Sequence, residues 1–177
     1  MTSHGSWMRA EIAGPKKAVV INKTEVVTAL LKRFRSPVLI IGSRSTEIEL
    51  NGGKLISYLA RIAEVWKIPV VTTNRSASLY FAEIRRHSFP IPVIEIANLL
   101  SDPGWKGISE NGTPDLAIFS GLPYSMEWTL LSGLKHFAPH LKTLSLEYGY
   151  EPQADYSLPN LDMNKFHEIL SFIGRGE

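Results

Sequence analysis

Three apolar runs, each ending in a patch of Ser, Thr, Gly and Asn and each followed by a helical pattern, set the fold this chain can adopt. Residues 38–41 (VLII) run into Gly42, Ser43, Arg44 and Ser45; residues 70–71 (VV) run into Thr72, Thr73, Asn74 and Arg75; residues 116–119 (LAIF) run into Ser120 and Gly121. Strands buried on both faces read as continuous apolar runs, and a helix after each strand brings the chain back for a parallel neighbour. In such a sheet the polar tips gather along the carboxyl edge, where ligands bind. Hydroxyls and free backbone N–H groups suit a phosphate, yet they supply no proton-transfer group. The pattern therefore points to holding a ligand more than to transforming one.

The remaining elements follow from periodicity. Val27, Leu30, Leu31 and Phe34 share one helical face, and proline at position 37 stops that helix and opens the first strand. Leu55, Leu59, Ile62 and Trp66 mark a second helix, residues 76–86 a third, and residues 92–96 (PVIEI) a third strand. After the turn at Asn111, Gly112, Thr113 and Pro114 comes the fourth strand, then a helix opened by Pro123 with Met126, Leu130, Leu134 and Phe137 as its buried stripe. Residues 141–146 give a fifth strand and 154–158 a short sixth; Asp162 caps a last helix with Met163, Phe166, Leu170 and Ile173 inward. The fold class is α/β, a doubly wound parallel sheet. Residues 1–20 lack a helical period and read as an N-terminal arm, and residues 21–177 as a single domain.

Composition excludes several functions. The 177 residues carry a net charge of only +2, without the clustered basic face that nucleic acid requires. Cysteine is absent, which removes disulfides, thiolate nucleophiles, Cys-ligated zinc and iron–sulfur ligation together. No apolar stretch approaches the roughly 18 residues that span a bilayer, and the N-terminus has no long apolar leader. A cytoplasmic protein is the expectation.

The candidate cofactor-binding residues are Gly42, Ser43, Arg44, Ser45, Thr73, Asn74, Ser120 and Gly121. Gly42 permits close backbone approach, although the turn has one glycine where a full dinucleotide fingerprint has three. Ser, Thr and Asn here have a second role open to them, capping the helices that follow; at a helix N-terminus the two roles are compatible. Arg44 and Arg75 can neutralise an anion. Glu147, Tyr148 and Tyr150 are placed to line the rim, Glu147 as an acceptor for ribose. No catalytic or metal site is expected. His136 and His140 are four apart, but Pro139 lies between them and ends the helix. Ser120 lacks the glycine two residues before it that a nucleophile elbow carries.

Four segments carry a resemblance: residues 36–43 (SPVLIIGS), 67–74 (KIPVVTTN), 98–107 (NLLSDPGWKG) and 114–121 (PDLAIFSG). They resemble the epsilon subunit family of the archaeal acetyl-CoA decarbonylase/synthase complex, over roughly residues 15 to 173, with 98–107 the most distinctive stretch. The resemblance implies a three-layer α/β/α Rossmann-like domain. Its six-stranded parallel sheet has order 3-2-1-4-5-6, the nucleotide-binding fold shared with deoxyhypusine synthase and sirtuins. That order places Gly42, Ser43, Ser120 and Gly121 on one crevice. It implies an alpha2epsilon2 assembly with the alpha subunit, which carries the nickel–iron–sulfur chemistry of carbon monoxide dehydrogenase. The implied role is stabilisation of alpha or electron transfer to FAD, with no metal held by this chain. The alternative is a freestanding FAD- or NAD-binding redox protein, and self-association is also open. An apolar docking patch would be anchored by aromatic residues; Trp7, Trp105, Tyr124 and Trp128 are the candidates.

Overall fold

A computed structural model describes residues 16–108 and 112–176. Seven strands form one sheet: β1 (Val19–Val20), β2 (Pro37–Ile41), β5 (Val70–Thr72), β6 (Phe89–Pro90), β7 (Leu116–Ser120), β8 (Lys142–Ser145) and β9 (Tyr156–Ser157). Their order is β1-β9-β8-β7-β2-β5-β6 and every neighbouring pair is parallel. A small antiparallel hairpin, β3 (Glu49–Leu50) with β4 (Gly53–Lys54), stands apart. The six helices are α1 (Thr24–Arg33), α2 (Leu55–Val65), α3 (Arg75–Glu83), α4 (Val93–Ser101), α5 (Tyr124–Phe137) and α6 (Met163–Ile173).

Alternation along the central strands feeds two cores. Leu39 and Ile41 of β2, with Leu116 and Ile118 of β7, join the core under α1, α2, α3 and α6. Val38 and Ile40, with Ala117 and Phe119, join the core under α4 and α5. The register pairs Val38 with Ala117 and Leu39 with Ile118, so each face keeps its own row. Leu39, Ile40 and Ile41 are fully buried, and each such side chain contributes roughly 1.5–3 kcal/mol through burial. Four helices cover one face and two cover the other.

The sheet is a three-layer Rossmann-like arrangement, and six of its strands run in the expected order 3-2-1-4-5-6. Two details differ. Residues 92–96 are not a strand: Phe89–Pro90 fills that place, and α4 begins at Val93 with Pro92 as its extended cap. Val93, Ile96, Ala97 and Leu100 pack on the core at helical spacing while Ile94 is exposed; a short apolar run fits either period until its length is known. The seventh strand comes from the segment read as an arm. Val19–Val20 pairs with β9, and the Tyr150 hydroxyl donates to the Ala18 carbonyl at 3.0 Å. Tyr150 is thus buried beneath that edge strand, away from the rim assigned to it. Residues 1–15, Trp7 among them, lie outside the described residues.

Candidate functional site

The two central strands end side by side, and their tips close on each other. The Gly42 N–H donates to the Ser120 carbonyl at 2.9 Å, and the Arg44 N–H donates to the Gly121 carbonyl at 2.8 Å. A side chain on Gly42 would place its Cβ 2.5 Å from the Leu122 nitrogen and closer still to the Gly121 carbonyl. A Cβ on Gly121, whose φ is +74°, would lie 2.8 Å from Ser45. Glycine is required at both positions because backbone packs on backbone there. The chain then turns through a 3-10 segment, Ser43–Thr46, laid over the end of the sheet.

Gly42, Arg44, Ser45, Ser120 and Gly121 therefore converge, and most of the expected polar groups are engaged within the protein. The Ser45 hydroxyl donates to the Gly42 carbonyl at 2.6 Å, and the Ser120 hydroxyl to the Leu146 carbonyl at 2.8 Å; both serines are fully buried. Thr73 donates to the Ile41 carbonyl at 3.1 Å, and Asn74 caps α3 by accepting from the Ala77 N–H at 3.3 Å. Thr73 and Asn74 face a separate shallow pocket of about 310 Å³ with Arg75, Pro90 and Pro92. Ser43 is half-buried, and its carbonyl accepts from the Thr46 hydroxyl at 3.0 Å. The space between Gly42 and Gly121 is taken up by the backbone of these two loops, so no ligand group enters between them.

One strand further along, the carboxyl edge does open. A cavity of about 220 Å³ lies between the loops after β7 and β8 and the start of α5, with Arg44, Tyr124, Glu127, Glu147, Tyr148 and Glu151 in its wall. Arg44 donates to the Tyr148 hydroxyl at 3.0 Å and lies 6.0 Å from the centre of its ring; this hydrogen bond raises the guanidinium pKa. Glu147 accepts from the Gly121 N–H, so it bridges the sealed turn and the cavity. Glu127 accepts from the Ser145 hydroxyl at 2.6 Å. Burial raises both carboxyls, Glu127 to about 8 with further repulsion from Glu147, and Glu147 to about 7 despite the Gly121 N–H and Arg44. Burial and their mutual repulsion favour keeping a proton on the pair.

Glu147 and Tyr148 were legible as rim residues; Glu127 was not. Its signal is nonetheless in the sequence. Glu127, Leu130, Leu131 and Leu134 are the buried positions of α5, an i, i+3, i+4, i+7 set that contains a carboxylate. The stripe expected through Met126 and Phe137 is rotated by one position. Those two are 44% and 73% exposed and instead line an uncharged groove of about 600 Å³ between α4 and α5, together with Ile94, which is 77% exposed. Of the aromatic candidates, Trp105 packs against the second core, Tyr124 is exposed, and Trp128 is half-buried with its indole N–H enclosed and without an acceptor among the described residues. His136 and His140 are both exposed beyond the last buried turn of α5. Among the described residues no group of three or more His, Cys, Asp or Glu side chains is placed to hold a metal ion.

Comparison with known proteins decides the family. The model of the family described as "CO dehydrogenase beta subunit/acetyl-CoA synthase epsilon subunit" matches residues 3–173. The chain belongs to this family. An acetyl-CoA decarbonylase/synthase complex subunit epsilon from Methanothermobacter thermautotrophicus is 37% identical over 166 residues, covering 93% of this chain and 91% of that protein. A subunit epsilon 1 from Archaeoglobus fulgidus is 30% identical over 157 residues, covering 88% and 82%, and a subunit epsilon from Methanothrix soehngenii is 27% identical over 156 residues, covering 88% and 80%. The family match spans the residues of the sheet, the sealed turn and the cavity loops. No helix among the described residues is long and apolar enough to cross a membrane.

Proposed function

We propose that this chain is an accessory epsilon subunit that docks on the alpha subunit of an acetyl-CoA decarbonylase/synthase complex. There it helps form the carbon monoxide dehydrogenase component in the cytoplasm and stabilises it. The observation that carries this reading is the family match over residues 3–173, shared with relatives named as epsilon subunits of that complex. Support for docking comes from the α4–α5 groove. Large apolar groups in contiguous, uncharged, concave surface are what a partner interface uses at its centre. Ile94, Met126 and Phe137 supply them here. The chain has no cysteine with which to bind an iron–sulfur cluster.

Electron transfer to FAD is the finer alternative role, and a freestanding FAD- or NAD-binding protein the rival reading. Arg44, beside the ring of Tyr148 at the carboxyl edge of the sheet, is the observation that favours a flat anionic cofactor nearby. Such a ligand would lie outside the closed Gly42–Gly121 turn, so Arg44 and the half-buried Ser43 are the residues that would meet it. When bound, FAD would supply one- and two-electron redox chemistry; this chain's contribution would be position and charge. Two measurements separate the readings. Mixed anaerobically with the alpha subunit under reducing conditions, the chain co-elutes from a sizing column; separate elution overturns the accessory-subunit reading. Incubated with FAD and desalted, a flavin carrier stays yellow, whereas a purely stabilising subunit does not.

A further inference from the structure

The cavity beside the sealed turn is built around a charge deficit. Three carboxyls reach a space of about 220 Å³, and a buried carboxyl needs a cation, a full set of hydrogen bonds or a proton. Glu147 has the Gly121 N–H and the field of Arg44. Glu151 accepts from the Gln153 N–H at 3.0 Å and interacts with Lys135. Glu127 is 2% exposed and accepts from the Ser145 hydroxyl; among the described residues the charge that acts on it is the like charge of Glu147. In the isolated chain a proton makes up the difference.

Several features narrow the ligand that would replace that proton. It must bring positive charge and more than one N–H donor, to satisfy Glu127 and Glu147 together. A guanidinium does so with five donors in one plane and is weakly hydrated, so it enters partly buried sites more readily than an ammonium ion. The wall already accommodates one such group, since Arg44 lies against the ring of Tyr148. Size agrees: the volume falls below the roughly 300 Å³ at which drug-sized pockets begin, enough for a guanidinium and its stem and too small for a dinucleotide. A metal ion is disfavoured, because the described His, Asp and Glu residues nowhere form a ligand set of three.

We propose that this cavity is a guanidinium-binding site, with the cation seated between Glu127 and Glu147. The cation is either a free guanidino compound or the side chain of an arginine from a partner subunit. This goes beyond the accessory-subunit reading and does not depend on it, since the first test uses the full chain alone.

The probe is N-acetyl-arginine amide, titrated calorimetrically, with N-acetyl-citrulline amide as the uncharged isostere. The groups around the site are Arg44 on the 3-10 turn, Tyr124 and Lys135 on α5, and Glu147, Tyr148 and Glu151 after β8; Glu127 and Glu147 are the ones raised into the neutral range. Binding should be tightest above about pH 8 and should weaken roughly tenfold per pH unit from about 8 to 7, where one proton must be displaced, and more steeply below about 7, where two must be. Glu127→Gln should weaken it at least tenfold and flatten the pH slope, while the citrulline isostere stays inert. Should Glu127→Gln fail to fold, proton release is read on the unaltered chain as a heat that differs between phosphate and Tris buffers. No binding by about 10 mM probe, equal binding of the isostere, or an affinity independent of pH overturns the proposal. The source is then read on the intact complex. A free ligand's site still takes the probe at one per chain, whereas a site filled by a partner's arginine excludes the probe and the assembly loosens in Glu127→Gln.

Discussion

Replacing Gly42 by alanine tests the sealed turn directly. The added Cβ lies 2.5 Å from the Leu122 nitrogen and nearer to the Gly121 carbonyl, while ordinary contact begins at 3.4 Å, so backbone must retreat by about 1 Å. No flexible side chain can absorb that shift. Overpacking of this kind costs about 1–3 kcal/mol. Moving Gly121 also strains two hydrogen bonds, Arg44 N–H to its carbonyl and its own N–H to the Glu147 carboxyl. The neutral one is worth about 0.5–1.5 kcal/mol and the charged one about 1.5–3. With partial relaxation the expected loss is about 3–5 kcal/mol, which for a chain this long lowers Tm by about 10 °C. Urea and thermal unfolding measure it. Gly133→Ala is the control: nothing lies within 4 Å of the added Cβ at this half-buried position of α5, and the change should stabilise by about 0.5–1 kcal/mol. A Gly42→Ala loss under about 1 kcal/mol would refute the reasoning, because it would show the space above Gly42 to be vacant and open to a ligand.

Other consequences follow from named contacts. Glu127 and Glu147 ionise near 4.5 when unfolded but at about 8 and about 7 when folded, so the folded state binds more protons between those values. Their contribution to stability is therefore greatest below about pH 4.5 and is lost as pH rises through 7 to 8, with a slope on the order of 3 kcal/mol per pH unit while both differ by a proton, up to about 7, and on the order of 1 between 7 and 8. Glu127→Gln, fixed in the neutral form, should flatten the fall in Tm between pH 6 and 9; an unchanged slope would contradict the burial argument. Lys67 ends α2 in the left-handed conformation with φ +53°, so Lys67→Gly should stabilise by about 1 kcal/mol in urea unfolding. Phe137→Glu leaves an exposed helix end folded, with Tm within a few degrees of the parent, yet should weaken association with the alpha subunit by about tenfold or more. Leu39→Ala, at the centre of the sheet, should cost about 2–5 kcal/mol.

The sheet was legible because its determinants are local. Residues 37–41 and 116–119 are apolar without interruption, bounded by proline at 37 and 114 and ended by small polar residues, the pattern of a strand buried on both faces. Residues 92–96 were misread because Val93, Ile94 and Ile96 satisfy a strand's β-branched preference as well as a helix face, and only Leu100 one turn later resolves the period. At the site, sequence locates which tips converge but not how closely. Gly42 and Gly121 are compatible with a phosphate cradle and with backbone contact; the distance between two loops about 80 residues apart decides, and no local pattern encodes it. Glu127 escaped notice because a single carboxylate inside an amphipathic helix resembles a solvated position until Leu131 is seen to be inward and Met126 outward.

Docking through the α4–α5 groove is the claim on which the functional account rests, and amide hydrogen exchange reads it on the assembled complex. Compared with the free chain, exchange in Val93–Ser101 and Tyr124–Phe137 should slow by at least tenfold on binding the alpha subunit, while α1 and α6 on the opposite face change little. Protection confined to α1 and α6, or none on either face, would contradict it.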